Sequence, residues 1–264
     1  MKTYFYGFII SIQFFSVLPI RKEIPMTNRT IERAIRMFPL FGLLLGSICT
    51  GLLYGLTEWT ILSPLSTTFI LWVVMIVLTG GIHLDGWMDT SDAFFSYRDQ
   101  HKRLEIMNDP RTGAFGVISV IVLLAARFLF MYEIVARMAP LTFLLILFIP
   151  FFSRMVMGLL LVLVPPARDE EMGKLFQQAS NQATYLSYLA YFPVVLVLIW
   201  LWNSGGAIPA LLMLLGTVIL FLVIRNRVMK WFGGMTGDII GASTEGVEVW
   251  LWLIIWLFHY YGMG

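Results

Sequence analysis

Charge is what this chain has least of. Only 13% of its 264 residues are Asp, Glu, Lys or Arg, against about 25% in a soluble domain, while 59% are hydrophobic. Water is therefore not its main solvent. Cysteine is nearly missing as well: the single Cys49, set in an apolar run, excludes an intrachain disulfide and a cysteine-based metal site, and reads as a small packing residue. The net charge of +2 comes without a basic arm or an aromatic-studded basic stripe, so nucleic acid is not expected as a partner. There is also no internal repeat, no low-complexity tract and no polar stretch long enough to fold as a soluble domain of its own.

What is present are apolar runs of about 17 to 25 residues, long enough to cross a hydrocarbon core near 30 Å at 1.5 Å per helical residue. They predict a single all-α domain over 1–264, a polytopic transmembrane bundle with spans near 4–20, 37–57, 61–81, 113–135, 140–164, 184–203, 207–224 and 247–262. Eight spans result, or seven if the short first segment, which closes with Pro19, lies in the interface. That segment has no small-residue cleavage site after it and reads as retained rather than as a signal peptide.

The connections alternate between tight turns at 58–60, 136–139 and 204–206 and long loops at 21–36, 82–112, 165–183 and 225–246. Two spans separate each successive pair of long loops, so all four emerge on one side. They hold fourteen of the eighteen lysines and arginines, which by the positive-inside rule makes that side cytoplasmic and the protein a multi-pass protein of the cell (inner) membrane. Fourteen of the sixteen carboxylates lie in or at the edge of the same loops. Carboxylates do not set topology, so a catalytic face is the expected reason.

Two constellations carry chemistry. In Gly80-Gly81-Ile82-His83-Leu84-Asp85-Gly86-Trp87-Met88-Asp89-Thr90-Ser91-Asp92 the aspartates stand four and three apart, within about 60° of one another on a helix. Three carboxylates on one face repel each other unless a cation neutralises them. Oxygen-only ligands suit a hard ion, and Mg2+ is usually held by one or two carboxylates with substrate phosphates completing its shell. Asp85, Asp89 and Asp92 are thus candidate metal ligands gripping a diphosphate; helix capping and dipole pairing is the plainer alternative. His83 projects opposite this stripe on a continuous helix, and could serve as general base only if the chain bends at the glycines. Further along the loop, Arg98, Arg103 and Arg111 are candidates to neutralise phosphate oxygens, and Asp109 ends the loop with turn residues.

The second constellation is Gly233-Gly234-Met235-Thr236-Gly237-Asp238, running on to Glu245. Glycines at this density let backbone N–H groups approach an anion, and the helix that follows adds its positive dipole end. Asp238 and Glu245 are seven apart and would share a face, completing the metal site from the other side. Glycine-mediated helix packing is the alternative. Arg127 and Arg154 fall inside spans, where a bare charge is costly. Arg154 is the expected substrate contact, and Arg127 is expected to pair with a neighbour such as Glu133 or to snorkel.

These residues resemble the cobalamin synthases, or adenosylcobinamide-GDP ribazoletransferases, over nearly the full chain. The likeness runs through Phe38 to Gly46, Thr79 to Asp92, Arg103 to Met107 with Asp109, Arg111, Gly113 and Gly116, Ser153-Arg154, Ala167-Arg168, and Gly233 to Glu245. The resemblance implies a Mg2+-dependent membrane transferase joining α-ribazole or its 5′-phosphate to adenosylcobinamide-GDP, with GMP released. Partners would be these small molecules, the lipid bilayer and, as an open alternative, a second copy of the chain. Related readings are a CDP-alcohol phosphotransferase-like or prenyltransferase-like enzyme, though the Ala-Arg-containing aspartate pattern of the first and the second DxxxD-type helix of the other are not seen. From a different class comes a transporter, for which paired halves would be expected.

Overall fold

The computed structural model of the chain describes residues 2–168, 172–202 and 206–262. Eleven helices are found among them: α1 (Lys2–Phe15), α2 (Asn28–Trp59), α3 (Pro64–Thr79), α4 (Ile82–Phe95), α5 (Gln100–Met107), α6 (Ala114–Val135), α7 (Pro140–Leu163), α8 (Met172–Ala179), α9 (Gln182–Trp202), α10 (Ala207–Phe232) and α11 (Gly237–Gly262). The all-α polytopic bundle expected from the apolar runs is what forms. Six helices are long and apolar enough to span a membrane, and α3 joined to α4 across an 84° bend gives a seventh candidate. The count of eight is corrected at the N-terminus: α1 has 14 residues, only about 21 Å of rise.

Helix ends explain several shifted boundaries. α2 begins nine residues before the apolar run at 37, because Thr27 and Thr30 form a reciprocal capping box that satisfies the first free N–H groups. α10 runs on to Phe232 and α11 starts at Gly237, ten residues before the predicted 247, so polar and glycine-rich sequence taken for loop is helical. The expected 82–112 loop is likewise two helices, α4 and α5. Of the tight turn at 204–206 only Gly206 is among the described residues.

The bundle is built around α7, which is buried along most of its length. α2 crosses it at backbone contact: a Cβ on Gly42 would come within 2.3 Å of the Pro150 carbonyl oxygen, and one on Gly46 within 2.0 Å of the Leu147 carbonyl oxygen. Only glycine allows this approach. α1 lies on α2, with the Ser11 hydroxyl donating to the Ala34 carbonyl at 3.2 Å.

Two buried ion pairs hold α11 to its neighbours. Arg127 of α6 donates to Glu245, and one helical turn further Arg154 of α7 donates to Glu248. All four residues are at most 5% exposed. The expected pairing of Arg127 with Glu133 is therefore corrected: Glu133 faces Arg137, 3.6 Å away. A deep cation finds its best compensation in a carboxylate that is equally cut off from water.

Candidate active site

The site begins with a sharp corner. α3 ends at Gly80 (φ 64°) and Gly81 (φ 75°), two consecutive residues in the left-handed region, which glycine enters without steric cost. The corner turns the chain by 84°, so α4 leaves the axis of α3 and packs against α6 and α11. Its aspartates are thereby set at the mouth of the bundle: Asp85 is exposed, and Asp89 and Asp92 are half-buried.

α11 brings the second constellation to them. A Cβ on Gly86 would lie 2.6 Å from the Asp238 carbonyl oxygen, and one on Gly241 3.1 Å from the His83 Cα, so α4 and the first turns of α11 touch backbone to backbone. The Asp89 carboxyl is pushed up to about 6, first by burial and then by the negative charges of Asp85, Asp238 and Asp92. The two acidic motifs, 153 residues apart between Asp85 and Asp238, thus share one electrostatic site.

A frame of loop contacts holds this face. Gly233 (φ 76°) closes α10, and Gly234 packs against the backbone of Pro165 to Ala167. The Met235 N–H donates to the Pro165 carbonyl at 2.8 Å, and the Ala167 N–H donates to the Met235 carbonyl at 2.9 Å. Thr236 accepts the Ile239 N–H at its hydroxyl, 3.2 Å away, and Gly237 stands exposed at the start of α11 with no atom within 4 Å of where a Cβ would be. The positive dipole end of α11 therefore lies beside the aspartates, a natural seat for a phosphate oxygen.

The basic residues divide sharply by role. Arg98 is exposed in the turn after α4. Arg103 is a strut: it donates to the Trp231 carbonyl at 3.2 Å and lies near the rings of Phe94 and Phe232. Arg111 makes a two-pronged pair with Asp109, at 2.9 and 2.7 Å, which holds the Asp109 carboxyl down at about 2. Arg168, which motif reasoning noted but did not place in the site, donates to Asn108 at 2.6 Å and to the Leu104 carbonyl, and lies within the field of Asp238. Its signals in sequence were its place in one of the four long loops and the Ala167-Arg168 pair in the family likeness.

Several expected site residues have other work. Arg154 is spent on Glu248 inside the bundle, so it is not the open substrate contact expected. Glu245 is spent on Arg127, and it lies seven residues from Asp238, about 10 Å of helical rise, too far to share one ion with it. Both oxygens of Asp92 cap α6, accepting the Gly113 N–H at 2.7 Å and the Gly116 N–H at 2.8 Å. His83 is 3% exposed, with its ring stacked against Phe15 at a centroid distance of 6.0 Å. The chain does bend at the glycines, but the bend carries the aspartates outward and leaves this imidazole within the bundle.

What remains at the mouth fits a divalent cation that arrives with its phosphates. Among the described residues no lysine or arginine pairs with Asp85 or Asp89, and no three acid, histidine or cysteine groups already stand close enough to enclose an ion. Mg2+ does not require such a cage, because substrate oxygens and water normally complete its octahedron.

Apolar helices that gather carboxylates and a helix start at one end of the bundle define a polytopic membrane protein with an acidic mouth. The profile of the cobalamin-5-phosphate synthase family matches residues 7–256. The chain belongs to that family. It is 40% identical to the adenosylcobinamide-GDP ribazoletransferase of Geobacillus sp. (strain WCH70) and 35% identical to that of Geobacillus kaustophilus, each alignment covering 100% of both chains. It is 31% identical to the protein of that name from Acinetobacter baumannii, over 96% of this chain and 98% of the relative. No solved structure matches.

Proposed function

We propose that this chain joins α-ribazole or α-ribazole 5′-phosphate to adenosylcobinamide-GDP, releasing GMP and giving adenosylcobalamin or its 5′-phosphate. Full-length similarity to proteins named for this transfer supports the reading. The single observation that carries the chemistry is the convergence of Asp85 and Asp89 of α4 with Asp238 of α11.

In the reaction a ribose hydroxyl oxygen forms a bond to the phosphorus that bears the corrinoid arm, and the bond from that phosphorus to the GMP oxygen breaks. The hydroxyl proton passes to a carboxylate of the cluster, and GMP departs carrying the bonding electron pair. Asp85, Asp89 and Asp238 would hold Mg2+, which when bound would offset the charge on the diphosphate. The positive end of α11 orients phosphate oxygens, and Arg98, whose guanidinium has no partner among the described residues, supplies charge at the rim. Arg168 holds α5 and the α7–α8 connection against the site. The lysine and arginine distribution supports a cytoplasmic position for this face.

The test is transfer by the purified full chain in lipid vesicles with Mg2+. GMP should appear from GDP-cobinamide only when α-ribazole is added, and Asp85→Asn and Asp89→Asn should each abolish its release while the protein remains folded in the membrane. Near-normal turnover by both variants would refute the assignment. Vesicle uptake without covalent change would instead favour a carrier.

A further inference from the structure

Beneath α4, where α10 and α11 diverge, lies a groove of ≈ 570 Å³. Its walls are aliphatic, with Leu220 and Ile224 on α10 and Ile239 on α11, and the indoles of Trp87, Trp231 and Trp250 border it. By helical rise Leu220 lies about 10 Å deeper than Arg227, and Trp250 about 16 Å deeper than Ile239. The groove therefore descends from the mouth of the bundle well into the apolar layer. α10 buries little of itself in the protein, so this side is turned to lipid.

The one charged residue in the lining of the groove is basic. Arg227 lines it, with its guanidinium 5.2 Å from the centre of the Trp231 ring. Arg225 and Lys230 stand in the same stretch of α10, all three are exposed, and none has a carboxylate partner among the described residues. No acidic residue lines the groove to receive the ammonium of a zwitterionic headgroup. Basic side chains above indoles above an aliphatic trough are the chemistry of an anionic lipid at a bilayer interface.

We propose that this groove is a binding site for one anionic phospholipid, with an acyl chain along Leu220, Ile224 and Trp250 and the phosphate at Arg227 and Lys230. The site is separate from the aspartate mouth yet touches it mechanically. Trp87 and Thr90 of α4, between and beside the aspartates in sequence, form part of the groove lining. A lipid packed there braces α4 from below and sets the position of Asp85 and Asp89 against Asp238. This coupling rests on the proposed transfer reaction; the lipid binding does not.

The binding arm uses native mass spectrometry of the full chain in mild detergent, titrated with phosphatidylglycerol and separately with phosphatidylcholine. One phosphatidylglycerol should bind in preference. The double variant Arg227→Ala/Lys230→Ala should lose about 25-fold in its affinity, about fivefold for each basic residue, with phosphatidylcholine binding unchanged. Leu220→Trp, which fills the trough and spares the charges, should displace the lipid as well. Equal binding of the two lipids, or an unaltered double variant, would overturn the site. So would a lipid-free dimer that Leu220→Trp converts to monomer, since a second copy would then be the occupant. The activity arm compares transfer rates in vesicles of phosphatidylcholine alone and of equal parts phosphatidylcholine and phosphatidylglycerol. A lipid that binds with no change in rate would overturn the bracing of α4.

Discussion

Replacing Glu245 by Gln tests whether this carboxylate neutralises Arg127 or belongs to a metal shell. Arg127 is 2% exposed and Glu245 3%, so water cannot compensate the guanidinium when its partner is lost, and Arg127 Nε already lacks a hydrogen-bond partner. Breaking one side of a buried pair costs about 3–5 kcal/mol, or roughly two to three and a half powers of ten in the ratio of folded to unfolded protein. Replacing both residues by apolar side chains of similar volume, as in Arg127→Met/Glu245→Leu, should recover most of that loss, because no charge is then left uncompensated. A double-mutant cycle on thermal unfolding in detergent micelles measures the coupling. The double variant should also retain Mg2+-dependent transfer, since Asp85, Asp89 and Asp238 are untouched. Single variants within about 1 kcal/mol of the parent would refute the buried-pair argument. A stable double variant without activity would return Glu245 to the reaction.

Gly86→Ala places a methyl 2.6 Å from the Asp238 carbonyl oxygen; it should separate α4 from α11 and reduce kcat at least about tenfold, the effect of roughly 1.4 kcal/mol at the transition state, while a well-populated folded protein persists. An unchanged kcat would show that this contact does not set the site. The pH dependence follows from Asp89, whose carboxyl is held at about 6: above that pH it is ionised and available to a cation, below it the proton competes. The Mg2+ concentration giving half-maximal rate should therefore rise as pH falls from 8 toward 5.5, approaching about tenfold per pH unit once Asp89 is mostly protonated. A flat requirement across that range would remove Asp89 from the cation site.

The amino-acid sequence alone determined that this is a multi-span helical protein with its acidic and glycine-rich motifs on one face, because hydrophobic length and the alternation of long and short connections are local properties of the chain. It also singled out Asp85, Asp89 and Asp92 by their spacing along one helix, and Asp238 with Glu245 by theirs beside a glycine-rich segment. Which of the other polar residues are already committed was decided only by tertiary structure. Glu245 faces Arg127, Glu248 faces Arg154 and Asp92 caps α6, partners 118, 94 and more than 20 residues away that no local pattern can match. The N-terminal span failed on similar grounds: Thr3 to Ile20 is apolar enough, but the helix stops at Phe15 and the chain folds back, its Val17 N–H donating to the Leu78 carbonyl at 2.9 Å. Apolar composition measures what a segment tolerates around it, whereas the path it takes depends on which backbone groups find partners elsewhere in the fold.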